Sequence, residues 1–228
     1  MIEMRDVWKK YNNGTTALQG INLSLKKGEF VYLIGPSGAG KSTFIKLLYR
    51  EEKATKGEIF VNGIHLNKIK RRQIPFLRRD IGIVFQDYRL LPTMTVYENV
   101  AFAMEVIEKP PREIRRRVKE ILYMVGLQDH AHHYPDELSG GEQQRVAIAW
   151  AIVNNPSMII ADEPTGNLDP ETSLGIMKLL DQINLQGTTV IMATHDKEIV
   201  NRIKKRVIAI DHGRIVRDDA RGGYDYEI

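Results

Sequence analysis

An α/β fold with a mixed sheet core, an antiparallel β subdomain and an inserted α-helical subdomain is predicted by three observations. Continuous apolar runs at residues 30–34, 81–85 and 158–161 have the pattern of strands covered on both faces, as in a parallel sheet. Two N-terminal stretches instead alternate apolar and polar residues, the mark of half-buried antiparallel strands. After Gln86 the periodicity turns helical and stays so until the run at residue 158.

In chain order, residues 2–8 and 18–25 form the alternating strands, joined by the turn Tyr11-Asn12-Asn13-Gly14. The buried strand 30–34 runs into a glycine-rich turn and a helix from Thr43, and residues 57–63 read as an edge strand between turns. Gln86 ends the second buried strand. Helices follow at 95–107, at 112–125 behind Pro110-Pro111, and at 140–153. Beyond them come the buried strand at 158, an amphipathic helix over 170–185, a strand over 188–193 and a hairpin about Asp211-His212-Gly213. Strand and helix alternation implies the parallel sheet. The chain is expected to be one domain. Residues 1–86 and 156–220 would form its core with the β subdomain, about 87–155 the helical subdomain, and 221–228 a flexible tail.

With 228 residues the chain can bury a large core. The absence of cysteine excludes disulfides, thiolate metal sites and thiol nucleophiles, and fits a reducing compartment such as the cytoplasm. No run of about 18 apolar residues is present and residues 1–20 carry no signal-peptide core, so no transmembrane segment is expected. A net charge of +4 demands no polyanionic partner. The basic clusters at 68–79 and 112–119 are read as solvated helix faces; no groove-reading motif accompanies them, so no specific nucleic acid is expected. His130, His132 and His133 lack an acidic or cysteine partner at ligand spacing and are read as a solvated loop.

The chemistry centres on Gly35-Pro36-Ser37-Gly38-Ala39-Gly40-Lys41-Ser42-Thr43, which fits G-x-x-x-x-G-K-[ST] between a strand and a helix. Backbone N–H groups of such a turn surround polyphosphate, and the helix N-terminus adds positive potential. Lys41 would reach the β- and γ-phosphates of ATP, and Ser42 the Mg²⁺. Asp162 closes the buried strand 158–161, placing a carboxylate for Mg²⁺, through water; the adjacent Glu163 could polarise a water for in-line attack. By themselves Asp162-Glu163-Pro164 also read as an ordinary strand-end turn.

Leu138-Ser139-Gly140-Gly141-Glu142-Gln143-Gln144-Arg145, lying between the phosphate loop and Asp162, resembles the signature of ATP-binding-cassette ATPases. Alone it is a helix N-cap; beside a complete cradle it is a second anion site. The resemblance covers nearly the whole chain and implies a RecA-like P-loop NTPase core. It also implies a head-to-tail homodimer in the ATP-bound state, in which Ser139, Gly140, Gly141 and Glu142 close on the other copy's nucleotide. By the same resemblance Tyr11 stacks on adenine, Gln86 approaches Mg²⁺ and the attacking water, and Asp169 lies on the dimer seam while capping a helix. His195 would bond the γ-phosphate and help Glu163 position water. Taken singly, Tyr11 also reads as a turn-packing residue, Gln86 as a loop glutamine and His195 as a cap.

Residues 85–102 resemble the cell-division branch of that family, and Thr165-Gly166-Asn167-Leu168-Asp169 resembles the wider group that also holds lipoprotein-release and macrolide-exporter ATPases. Tyr88, Leu90, Leu91, Pro92 and Met94, with Val96, would offer an apolar surface to an amphipathic helix of a membrane partner, or else form lobe core. The resemblance implies an ATP-hydrolysing subunit, cytoplasmic and peripheral on the inner face of the cell membrane. It would couple dimer closure to a separate polytopic membrane protein and so control peptidoglycan hydrolysis in division, with no C-terminal regulatory domain. An exporter ATPase and a non-hydrolysing ATP-gated scaffold remain open, and Glu163 discriminates the latter. A P-loop kinase or GTPase leaves the second anion site at Ser139 unexplained.

Overall fold

Residues 1–224 are described in the computed structural model of the chain. The strands are β1 (Ile2–Lys10), β2 (Thr16–Leu25), β3 (Phe30–Ile34), β4 (Lys56–Val61), β5 (Ile64–His65), β6 (Ile81–Val84), β7 (Met158–Asp162), β8 (Thr189–Ala193), β9 (Arg206–Asp211) and β10 (Arg214–Asp219). The helices are α1 (Lys41–Leu48), α2 (Ile74–Arg79), α3 (Val96–Glu105), α4 (Pro111–Met124), α5 (Gly140–Ile152), α6 (Pro170–Leu185) and α7 (Lys197–Arg202).

A six-stranded sheet in the order β10-β9-β3-β8-β7-β6 is parallel except for its β9–β10 hairpin. A second, antiparallel sheet runs β2-β1-β4-β5. Every residue of β3 is buried, as are residues 158–161 of β7, which is why these segments read as unbroken apolar runs.

Because side chains alternate across a strand, the central sheet feeds two separate cores. Tyr32, Ile34, Ile159, Ala161, Val190 and Met192 point into a core shared with α3, α4, α5 and α6. Val31, Leu33, Ile160, Ile191 and Ala193 point the other way, into a core with β1, β2, β4 and α1. Each fully buried Ile, Leu or Phe contributes about 1.5–3 kcal/mol, so the two cores together fix the sheet between its layers.

Four details depart from the sequence reading. The strand expected at an edge, β4, is internal, since β5 pairs with it through Phe60↔His65 and Val61↔Ile64. The six-residue helices α2 and α7 carry too little periodicity to stand out in sequence. Val96, counted with the apolar surface, is 0% exposed and belongs to the helical core. Finally, the tail expected to be flexible is placed as far as Tyr224, which is 8% exposed and donates its N–H to Asn201 Oδ1 at 2.7 Å. The rest of that stretch, 225–228, lies outside the described residues. Among the described residues no helix is long and apolar enough to cross a membrane.

Candidate active site

The turn from β3 into α1 is pressed against its neighbours. Gly35 has φ 147°, and a Cβ there would lie 2.0 Å from the Ile210 carbonyl oxygen; Gly40 has φ 113°, and its Cβ would lie 2.5 Å from that of Ala17. Only glycine fits both the left-handed backbone and the contact. Gly40 is also the N-cap of α1, with no side-chain cap and no acidic residue in the first turn. Lys41 curls back over the turn, donating from Nζ to the carbonyls of Gly35 at 2.7 Å and Pro36 at 3.1 Å.

Above this turn opens a cavity of about 1070 Å³ that the loop residues, Lys41, Ser42 and Thr43 share with Tyr11, Gln86, Asp162, Glu163 and His195. Its size suits a nucleotide. Tyr11 is held at its rim by a hydroxyl contact with Thr43 Oγ1 at 3.2 Å, and Lys9 Nζ sits over its ring 4.7 Å from the centroid. Gln86 donates from Nε2 to Asn167 Oδ1 at 3.2 Å, while Asn167 Nδ2 donates to the Gln86 carbonyl at 3.2 Å. That reciprocal pair ties the end of β6 to the turn leading to Asp169.

Asp162 and Glu163 stand where β7 meets the cavity. Burial, then the neighbouring Glu163 carboxylate, pushes the Asp162 carboxyl above its usual range in spite of Lys41 and Lys46. Glu163 adopts φ 52°, a left-handed conformation that costs a non-glycine residue about 1–3 kcal/mol and persists only where contacts over-determine it. Those contacts are present. Its N–H donates to the Ala193 carbonyl at 2.9 Å, and its Oε2 lies 2.8 Å from His195 Nδ1 and accepts the His195 N–H at 3.3 Å. The carboxylate is thus locked against the end of β8, with its side chain 17% exposed and that of His195 68% exposed.

The segment Ser139 to Glu142 does not line this cavity. Ser139 caps α5 in a closed box: Oγ and N–H both donate to Glu142 Oε2, at 2.6 and 2.8 Å, and Oγ accepts the Glu142 N–H at 3.4 Å. These Ser139 bonds hold the Glu142 carboxyl below its usual range, and His130 Nε2 adds a contact at 3.3 Å. A Cβ on Gly140 would sit 2.9 Å from Tyr88 Oη, and one on Gly141 would sit 2.4 Å from Thr172 Cγ2. Asp169 caps α6, accepting the N–H groups of Glu171 and Thr172 at 3.0 Å each. Among the described residues no group of three or more His, Cys, Asp or Glu could hold a metal, and His130 packs on His133 with ring centroids 5.1 Å apart.

On the expected docking stretch, Leu91 is 36% exposed beside exposed Pro92, while Tyr88, Leu90 and Met94 are half-buried and Leu90 packs on the helical core. Two residues of this region escape sequence reasoning. Buried Asn99 accepts the Leu91 N–H at 2.8 Å and donates to the carbonyls of Leu91, Met94 and Thr95, so it fixes the shape of the exposed loop. Arg89 lies 3.6 Å over the Phe85 ring and lines the cavity. Tyr224 was also missed, and no local signal marks it: it lines the cavity from the C-terminal side, with Lys197 Nζ 5.5 Å from its ring centroid.

The sequence model of the ABC transporter family matches residues 18–166, more than half of the chain. The chain is 62% identical over 227 residues to the cell division ATP-binding protein FtsE of Streptococcus pneumoniae (strain D39), covering 100% of this chain and 99% of the relative. It is 63% identical to FtsE of Bacillus subtilis, with 98% of each covered, and 45% identical to FtsE of Escherichia coli K12, with 100% of each covered. Among solved structures, the ATP-binding cassette MJ0796 in a dimeric post-hydrolysis state bound to ADP and Pi is 40% identical with a TM-score of 0.86, covering 97% of this chain and 100% of that one. The cbiO1 subunit from Clostridium perfringens, part of the ABC transporter complex cbiONQ, is 36% identical with a TM-score of 0.90, covering 96% and 88%.

Proposed function

The chain belongs to the ABC transporter family of ATPases, and from that premise we propose that it works as an FtsE-like subunit whose ATP-driven dimer closure acts on a separate, FtsX-like polytopic membrane protein to control peptidoglycan hydrolysis in cell division. It hydrolyses ATP to ADP and phosphate. Similarity to division ATPases over the full chain favours this role over the exporter ATPases of the same wider group. Residues 1–86 with 156–220 act as the catalytic unit, and about 87–155 as the lobe that meets the partner. The subunit works peripherally on the inner, cytoplasmic face of the membrane.

The observation that carries the chemistry is the Glu163–His195 pair, held at the ends of adjacent strands beside the phosphate turn. Loop N–H groups and the start of α1 cradle the phosphates, and Lys41 transfers its ammonium from the Gly35 and Pro36 carbonyls to them. Tyr11 offers its ring to adenine. The hydroxyl of Ser42, the carboxylate of Asp162 and the amide oxygen of Gln86 line one cavity and are hard oxygen donors suited to Mg²⁺; a cation there would favour the ionised Asp162 carboxylate that burial disfavours. Bound there, Mg²⁺ would offset phosphate charge. Glu163 takes a proton from the attacking water as its oxygen bonds the γ-phosphorus and ADP departs, while His195 holds Glu163 and the γ-phosphate in register. Because Ser139, Gly140, Gly141 and Glu142 lie outside their own chain's cavity, they complete the site of a second copy, with Asp169 on the seam between the two.

Two experiments test this. In Glu163→Gln, ATPase turnover should vanish while ATP accumulates on a stable dimer seen by size-exclusion with light scattering; turnover at the unaltered rate would remove Glu163 as base, and a non-hydrolysing scaffold would instead be favoured by ATP binding without turnover in the unaltered chain. Leu91→Asp should bind ATP normally yet fail to retain an FtsX-like protein in a pull-down from membranes. Recovery of a lipoprotein-extracting pair by the unaltered chain would redirect the role to export.

A further inference from the structure

Of the two basic clusters, the one before β6 is built differently from a solvated helix face. Residues 66–79 hold Lys68, Lys70, Arg71, Arg72, Arg78 and Arg79 with no acidic residue among them. The segment is pinned from beneath by Leu66 and Leu77, 1% and 3% exposed, with Ile69 packed on the same core. Gln73 Oε1 accepts the Lys70 N–H at 3.0 Å and fixes the turn into α2. Arg78, also exposed, turns back onto the chain, donating to the carbonyls of Tyr49 at 3.0 Å and Arg50 at 3.4 Å. The remaining five cations are exposed, and among the described residues none of them forms an ion pair. Even Asp80, next along the chain, is engaged by Asn62 Nδ2 at 2.6 Å and Ser157 Oγ at 2.7 Å.

Amid these charges stands Phe76, 64% exposed, with the Arg79 guanidinium 5.0 Å from its ring centroid. An aromatic ring displayed outward among unpaired cations has no use in water, where it costs apolar hydration. At a headgroup boundary both parts are satisfied: the ring enters the acyl margin and the cations meet anionic phosphates, with their aliphatic stems bridging the two. On α4, by contrast, acidic residues stand among the cations: Glu120 pairs with Arg116 and Arg117, and Glu113 with Lys109 just before the helix, so part of that cluster is neutralised locally.

We infer that residues 68–79, with Phe76 as the inserting side chain, form a contact surface for anionic phospholipid. This surface is separate from the Leu91 loop assigned above to the membrane protein, and it requires no nucleotide. It gives the chain a direct hold on the bilayer in addition to its hold on the partner.

Co-sedimentation of the full chain with vesicles tests it. Vesicles of phosphatidylcholine and phosphatidylglycerol in equal parts should retain the protein, pure phosphatidylcholine vesicles should not, and rising sodium chloride should weaken retention. Combining Lys70→Ala, Arg71→Ala and Arg72→Ala should lower vesicle affinity about a hundredfold, and Phe76→Ser should lower it further at high salt. ATPase turnover in solution should match the unaltered chain in both variants, which establishes folding and separates this result from any failure of the nucleotide-site assignment. Retention unchanged in the triple variant would overturn the inference. So would an equal loss from Arg112→Ala, Arg115→Ala and Lys119→Ala on α4, or displacement from vesicles by an RNA oligonucleotide at equal phosphate concentration.

Discussion

Two helix starts in this molecule look alike in sequence, since each follows a serine-and-glycine turn suited to anions. Their structures differ in what already occupies them. The start of α1 has a glycine cap with no side-chain bond and no acidic residue in its first turn, and it opens into the cavity. The start of α5 is closed by the Ser139–Glu142 box and lies outside that cavity. An uncapped start offers its N–H groups to whatever phosphate arrives, whereas a boxed one holds its shape until a ligand displaces the carboxylate. On the proposed function, the first would capture nucleotide and the second would recognise one already captured.

The largest expected effect separates these two roles. Lys41→Ala should weaken ATP binding by on the order of a hundredfold in a fluorescent-nucleotide titration, through the loss of charge-assisted bonds to phosphate. Ser139→Ala should leave that affinity intact while turnover collapses. An equal loss of affinity in both would break the comparison, because α5 would then serve its own chain. A smaller effect examines the residues that complete the α1 site from the same chain: Tyr224→Ala, which removes the buried ring and its contact with Lys197 on α7, should cut turnover about tenfold, with ATP affinity unchanged and Tyr224→Phe close to the unaltered enzyme. The smallest belongs to α5 alone. Because the Glu142 carboxyl is held below its usual range, the stability it supplies is present above the unfolded carboxyl's value of about 4.3 and is lost as pH falls through the folded one. Thermal melts between neutral and acid pH should therefore flatten in Glu142→Gln.

Much of this was legible in the chain because the relevant constraints are local. Strands β3, β7 and β8, buried on both faces, are apolar apart from Asp162 and Thr189 at strand ends, and a phosphate turn needs its glycines and lysine in fixed order. What escaped depends on distant contacts. The value of Tyr224 arises from Asn201 and Lys197, and that of Asn99 from three carbonyls of a loop whose shape is not written in its own residues. The left-handed Glu163 is likewise dictated by Ala193 and His195 across the sheet. Helix α2 was hidden by brevity and by a proline, and with it the outward placement of Phe76.

The partition of alternate strand residues between two cores has a mechanical consequence. Force applied at the Leu91 loop enters α3 and the core beneath it, while α1 and the phosphate turn are anchored in the core on the opposite face. The sheet thereby stands as a bulkhead between them, with the lobe packed on one face and the cradle on the other. If the loop receives a partner as proposed, the Gln86–Asn167 link at the sheet's edge is a narrow contact through which its motion would reach the nucleotide site.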